Sequence, residues 1–316
     1  SFPTRRSSDL IALGGEQTVF VNNGLVAGTA AAIRGDARAQ SVFNLAFIDG
    51  DVAMGGGNDI FQQLLCAEVS GTIAGGAGID RLQLYGAVPF SKRLPPDTVD
   101  PFDLSTVTGF EVRDVTSPAD VFGAFSVTGT FSGPNAVVRG GSQLFLDDAV
   151  LPFVTVETGS ALTGKGRFGG FELERDAILS PGRSPGLMTV DGDATVRGII
   201  EIEIAGAAPD QYDRLVIGGS VDLAGSTIQI SLLDGFVPEA GARFELIQAA
   251  EGIAGLETAT IEVEGAPPGV GITIDDTGAA SAEPTEILVA TPDEVTIAED
   301  GEASGNLLLN DQTTPA

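Results

Sequence analysis

Histidine and tryptophan are absent from this chain of 316 residues, and cysteine occurs once. Without histidine there is no Ser-His-Asp or Cys-His nucleophile and no histidine-containing zinc site. A lone Cys66 excludes a disulfide framework and a CxxC pair. Its setting, Gln62-Gln-Leu-Leu-Cys-Ala-Glu-Val69, predicts a small core residue. Basic residues are scarce, 16 against 44 acidic ones, for a formal charge of −28. Nothing supplies the clustered Lys and Arg that phosphate neutralisation needs, so nucleic acid and an anionic membrane surface are poor partners. Scattered acids of this kind keep a protein soluble, and multivalent cations are the better partner for them. No run of about twenty apolar residues spans a membrane as a helix. Gly55 to Gly57 lack the Lys that follows the glycines of a P-loop.

What the chain has in quantity is glycine, 43 residues, with 43% hydrophobic content. The glycines are not in G-x-y register, so collagen is excluded. The hydrophobic content is too high for a disordered chain. It is spread over short segments bounded by Gly and Pro, which read as strands. In Ile200-Glu-Ile-Glu-Ile204 the isoleucines fall on one face and Glu201 and Glu203 on the other. Thr227–Leu232 repeats the alternation, with Ile228, Ile230 and Leu232 inward.

The strands recur at fixed periods. Val52, Ala53, Gly55, Gly57, Asp59 and Phe61 return 21 residues later as Ile73, Ala74, Gly76, Gly78, Asp80 and Leu82 (73−52, 82−61). Val190, Gly192, Val196 and Gly198 return 27 residues later as Ile217, Gly219, Leu223 and Gly225 (217−190, 225−198). Periods in this range mark a solenoid whose coils stack on one another. Further rungs are expected at Thr18–Val21, Thr29–Ile33 (a rung rather than a helical turn, because Gly24, Gly28 and Gly35 break a helix), Ser41–Ile48, Thr106–Val112, Ala124–Thr128, Ala136–Val138, Gln143–Leu146 and Phe153–Val156. Thr260–Val263 and Gly271–Ile274 close the series.

The organisation follows. Residues 1–10 read as the translation of a short-read sequencing adapter and are left out of the fold. Residues 11–275 form the solenoid. Lys92-Arg-Leu-Pro-Pro-Asp97 cannot run through a central strand, so about 84–105 form a protruding loop. Residues 276–290 hold a last strand, Glu286–Val289, and a linker. Residues 291–316 change character, with Glu299-Asp-Gly301 and Leu308-Leu-Asn-Asp311.

Phe168–Gly255 carries Ser180-Pro-Gly-Arg-Ser-Pro-Gly186, a Gly192-Asp193 turn, Ile200–Ile204, Tyr212-Asp-Arg-Leu-Val216 and Asp234-Gly-Phe-Val-Pro238 in order. This stretch of about ninety residues resembles the passenger domains of bacterial autotransporters and related large surface adhesins. The resemblance implies an all-β chain, a right-handed parallel β-helix displayed outside a bacterial cell, and no enzyme activity. The tail resembles the opening strands of cadherin-like, Ig-like tandem domains, which implies the truncated start of a β-sandwich. On this reading the chain is a fragment of a secreted or surface-displayed adhesin, a structural stalk and binding surface. Its ligand would be extracellular: a host or neighbouring-cell surface, or a polysaccharide. The outer membrane is reached only through a C-terminal region beyond this fragment. Scarce cysteine fits a protein that crosses an oxidising periplasm unfolded. The alternatives are a β-helix polysaccharide lyase or hydrolase, and a calcium-binding repeat protein exported by a type I system.

Three groups are candidates for chemistry. Gly75-Gly-Ala-Gly-Ile-Asp-Arg-Leu-Gln83 matches the nonapeptide of calcium-binding β-rolls, which makes Asp59 and Asp80 calcium candidates. Those rolls place nonapeptides nine residues apart, and here the spacing is 21. The competing reading is a tight glycine turn whose Asp hydrogen-bonds the backbone. Asn310 and Asp311, with Glu299 and Asp300, form the second calcium candidate, and any calcium binding is expected to be weak. Glu201 and Glu203 lie about 7 Å apart on one strand face, within the range of glycosidase pairs, yet alternating Glu is also the ordinary look of a solvent face. Tyr212-Asp213 is either a polar pair in a groove or a boundary between rungs.

Overall fold

A computed structural model describes residues 11–15, 17–28, 31–86, 101–110, 112–116, 124–131, 135–182, 185–284, 286–289 and 312–315. Among them there is no α-helix, only strands and two short 3-10 turns. The chain is all-β, and its strands assemble into long parallel sheets.

Alternation of apolar and polar residues decides the sheets. In Ile199–Ile204 and Thr227–Leu232 every second side chain is buried. The two strands pair in parallel, Ile200 against Ile228 and Ile202 against Ile230, and Thr260–Glu264 continues the ladder. Each inward isoleucine therefore lies on the isoleucine of the next strand. Burying such a side chain contributes about 1.5–3 kcal/mol.

Three ladders run side by side. One extends from Thr18–Asn22 through Gln40–Asn44, Ile60–Leu64, Arg81–Tyr85 and Val112–Thr116. It continues from Ala136–Val138 to Ile253–Ala254. A second runs from Phe102–Asp103 to Thr260–Glu264. The third links Ala149–Leu151, Gly166–Phe168, Leu187–Val190, Arg214–Ile217 and Ile247–Ala249. Near the start, Ile33–Arg34, Val52–Ala53, Ile73–Ala74 and Val107–Thr108 form a further parallel ladder.

Both sequence periods are pairing registers. Val52 pairs with Ile73 and Phe61 with Leu82, 21 residues apart (73−52, 82−61). Val190 pairs with Ile217, 27 residues apart (217−190). One residue more is taken up before Thr227, which pairs with Ile199 at an offset of 28 (227−199). The extra residue lies in the turn at Gly225, whose φ is +70°.

Gln143–Val156 and Ala161–Leu173 each run through all three ladders as one bent strand. The bend sits at Asp148, the unpaired residue of a bulge, with φ +53°. Gly164 serves the facing strand with φ +104°.

Three expectations are corrected. Gly271–Ile274 is not a further parallel rung. Val270–Ile274 pairs antiparallel with Ala279–Pro284, which also pairs antiparallel with Arg243–Glu245. The Gly265–Gly269 turn and the reversal at Asp275–Gly278 are too short for another parallel crossover, so the chain folds back as a hairpin. Cys66 is exposed, not a core residue. It holds φ +72° in the turn closed by Ala67 N–H donating to Leu64 O, which points its side chain out. Leu84–Tyr85 and Phe102–Asp103, both assigned to the protruding loop, instead pair with Val115–Thr116 and Val127–Thr128. Residues 87–100 lie outside the described residues, and Glu286–Val289 pairs antiparallel with Gln312–Pro315.

Candidate functional site

The repeated aspartates sit where two coils meet. The Oδ1 of Asp59 accepts the Gln40 backbone N–H at 2.7 Å, and the Oδ1 of Asp80 accepts the Asp59 N–H at 2.8 Å. Each carboxylate thus reaches back one coil and holds the start of a strand. Both residues are buried. Burial pushes the Asp59 carboxyl up to about 6, against the pull of the Gln40 N–H and with help from Asp80 and Asp36. The glycines beside them permit the close approach. A Cβ on Gly76 would lie 1.9 Å from Gly55 O, and one on Gly78 1.6 Å from Gly57 O. Among the described residues no three His, Cys, Asp or Glu side chains come together in a way that could hold a metal ion. Asn310 and Asp311, like Glu299 and Asp300, lie outside the described residues.

The next corner carries a ladder that the sequence reading missed. Asn22 Nδ2 donates to Asn44 Oδ1 at 2.8 Å, and Asn44 Nδ2 donates to Gln63 Oε1 at 3.0 Å. All three amides are buried, and they also donate to Phe47 O, Glu68 O and Ala67 O. The signal was available: each amide falls one residue from, or at, the end of its strand, in register with the next.

Glu201 and Glu203 are half-buried on the outer face of the second ladder. Glu201 stands in register with Gln229 and Glu262, and Glu203 with Ser231 and Glu264. They form part of a flat polar face rather than the walls of a cleft.

Tyr212 and Asp213 are both buried, at the point where a loop returns to the third ladder. Tyr212 packs edge-on against Phe244 at 5.5 Å, and Phe236 meets Phe244 at 6.2 Å. This explains the spaced Tyr and Gly-Phe motifs as one aromatic cluster. Asp213 uses both oxygens on the backbone: Gly186 N–H donates at 2.6 Å and Glu203 N–H at 2.9 Å. It staples Gly186 to the strand that carries Glu203. Burial pushes its carboxyl up to about 7, against these two bonds, and Glu203 adds to the rise. With no exposed oxygen, Asp213 has a structural part and does not reach a ligand.

The concave feature beside this staple is a trough on the outer face of the third ladder. Two adjoining depressions, of about 380 and 270 Å3, share Lys165 and Leu187. Pro185, Pro209 and Asp210 wall one end with Arg214, and Asp148, Arg167 and Thr189 line the other. The strand register places these residues: Leu187 pairs with Arg214, and Arg167 with Thr189. Arg167 grips Asp191 at 2.8 and 3.0 Å. Arg214 donates to Gln248 at 3.2 Å. Among the described residues neither Lys165 nor Arg214 has a carboxylate partner.

No protein family and no curated protein matches this sequence.

Proposed function

We propose that the chain is a right-handed parallel β-helix that serves as a non-catalytic stalk and binding surface of a secreted or surface-displayed bacterial protein of the adhesin class. The observation that supports this reading is the parallel register kept from Thr18 to Ala254, coil upon coil. Crossovers between parallel strands are right-handed almost without exception, which gives the hand of the helix. Stacked coils make a stiff scaffold with a long exposed face, suited to holding a binding surface away from a cell. The ordered SPG, Tyr-Asp and Gly-Phe-x-Pro motifs, which resemble those of autotransporter passengers, add the extracellular setting. The tail from residue 291 would then open a cadherin-like domain that lengthens the stalk. Calcium stays a weak, millimolar ligand in this reading, with Asp59, Asp80, Asn310 and Asp311 as its candidate contacts.

The test is adhesion and turnover together. Beads coated with the purified protein are expected to bind bacterial or host cell surfaces above a blank control. The same protein is expected to leave a panel of polysaccharides uncleaved. Turnover that disappears in Glu201→Gln or Glu203→Gln overturns the non-catalytic reading in favour of a lyase or hydrolase.

A further inference from the structure

We infer that the outer face of the first four coils binds the same face of a second copy of this chain. The inference rests on the proposed adhesive function and names the partner of the binding surface. Thr18–Asn22, Gln40–Asn44, Ile60–Leu64 and Arg81–Tyr85 stack in register, and their outward positions carry Val19, Val21, Phe43, Ile60, Leu64 and Tyr85. Leu45 extends this face past the strand end, and Phe47 carries it round the corner. Among the described residues seven large apolar side chains are exposed, and four of them, Val19, Val21, Leu45 and Phe47, gather here. The fold does not require this. The outward column that begins with Val21 and Phe43 continues further on as Thr155, Glu172, Thr195 and Asp222. The later coils present the polar face of a solvated sheet, and the first coils present the face of a sheet that is covered.

Charge selects the occupant. Arg81 is the single charged side chain at the outward positions of these four strands, and Asp114 holds it at 3.6 Å. Residues 11–86 contain 3 basic and 7 acidic residues (3 − 7 = −4), against −28 for the chain. Two copies therefore repel one another over most of their surface, and this face lets them meet without opposing charge. Apolar and aromatic side chains with few charges are the composition of an interface core. A symmetric pair sets such a face against its own likeness. Area fixes the strength. Four strands about 4.8 Å apart, each of five residues rising about 3.3 Å, span about 300 Å2. That is well under the roughly 800 Å2 per partner of a stable complex. The contact is therefore weak between free molecules and is strengthened where many copies are displayed together.

Sedimentation equilibrium of the purified protein tests the pairing. The average mass is expected to rise from one chain towards two between about 10 μM and about 1 mM, the range of a small interface. Added salt should strengthen the pairing, because it screens the repulsion between acidic copies. Val21→Glu and Leu45→Glu each place a carboxylate on the face and should weaken it at least tenfold. Both positions are exposed, so the melting temperature should stay unchanged. A single chain at every concentration, pairing that salt weakens, or pairing undiminished in both variants overturns the inference. Pairing lost in Val21→Glu but kept in Leu45→Glu would place the contact on the free edge of the first coil and overturn the face. Saturable binding of cellohexaose that Leu45→Glu abolishes would give the face to a neutral glycan and overturn the second copy. Coated beads separate this inference from the adhesive function. Beads that clump with one another, but not when coated with Val21→Glu protein, bear out the pairing. Beads that bind cells without clumping overturn the second copy and leave the adhesive function standing. Beads that clump yet bind no cell keep the pairing and remove adhesion to cells.

Discussion

At the scale of the residue, this protein spends its polar side chains on joining one coil to the next. Asp59, Asp80 and Asp213 each bond backbone N–H groups of a neighbouring coil or loop. Asp213 has a consequence for pH. Its carboxyl stands near 7 in the folded chain, above the ordinary 3.8, because burial disfavours the charge. A raised acid favours the folded state below its ordinary value, and that stabilisation is lost as pH rises through about 7. The melting temperature is therefore expected to fall between pH 5 and pH 8. Asp213→Asn, which cannot ionise, should flatten that fall. An identical slope in the two proteins, followed by circular dichroism, would rule Asp213 out as its source. Glycine carries the second residue-level prediction. Gly78 holds φ +145°, and a Cβ there would meet Gly57 O at 1.6 Å. Gly78→Ala should destabilise by about 1–3 kcal/mol or more in denaturant unfolding, since the obstruction is backbone and cannot rotate away.

At the scale of the element, stability lies in columns of inward side chains repeated at each strand spacing. Ile202 is fully buried and stacks on Ile230, which faces Val263. Ile202→Ala should cost about 2–5 kcal/mol, because the flanking coils are fixed by their own hydrogen bonds and cannot collapse into the cavity. Ile199 is half-exposed one position outside this column, and Ile199→Ala should cost under half as much. Equal costs at the two positions would mean that the alternation does not set the core. The amide ladder gives a polar counterpart. Asn44→Ala leaves the Asn22 and Gln63 side chains buried without a partner on one side. It should destabilise by about 1–3 kcal/mol, more than Asn44→Gln, which keeps the amide.

At the scale of the whole molecule, contacts are made almost entirely between neighbouring coils, so opening is expected to begin at the ends of the stack. Hydrogen exchange should protect the amides of 161–204 longest, since those strands are paired on both sides. Uniform protection from Thr18 to Glu264 would contradict this. The alternation in Ile199–Ile204 and Thr227–Leu232, and the 21- and 27-residue periods, were legible in the sequence. A parallel stack brings each residue against its own repeat, so the spacing in sequence is the register in space. The sequence also carried the Asp59 and Asp80 turns, though not whether they serve an ion or the backbone. Other features were decided only by tertiary structure. The antiparallel return of Val270–Pro284 depends on Arg243–Glu245 offering an edge, which strand composition does not reveal. Cys66 faces solvent because the turn imposes a positive φ on it, not because of its own polarity. The trough exists because Lys165, Leu187 and Arg214, far apart in sequence and unremarkable singly, are brought level by coils of unequal length. Periodicity reports which residues repeat, while the loops between repeats set which non-repeating side chains become neighbours.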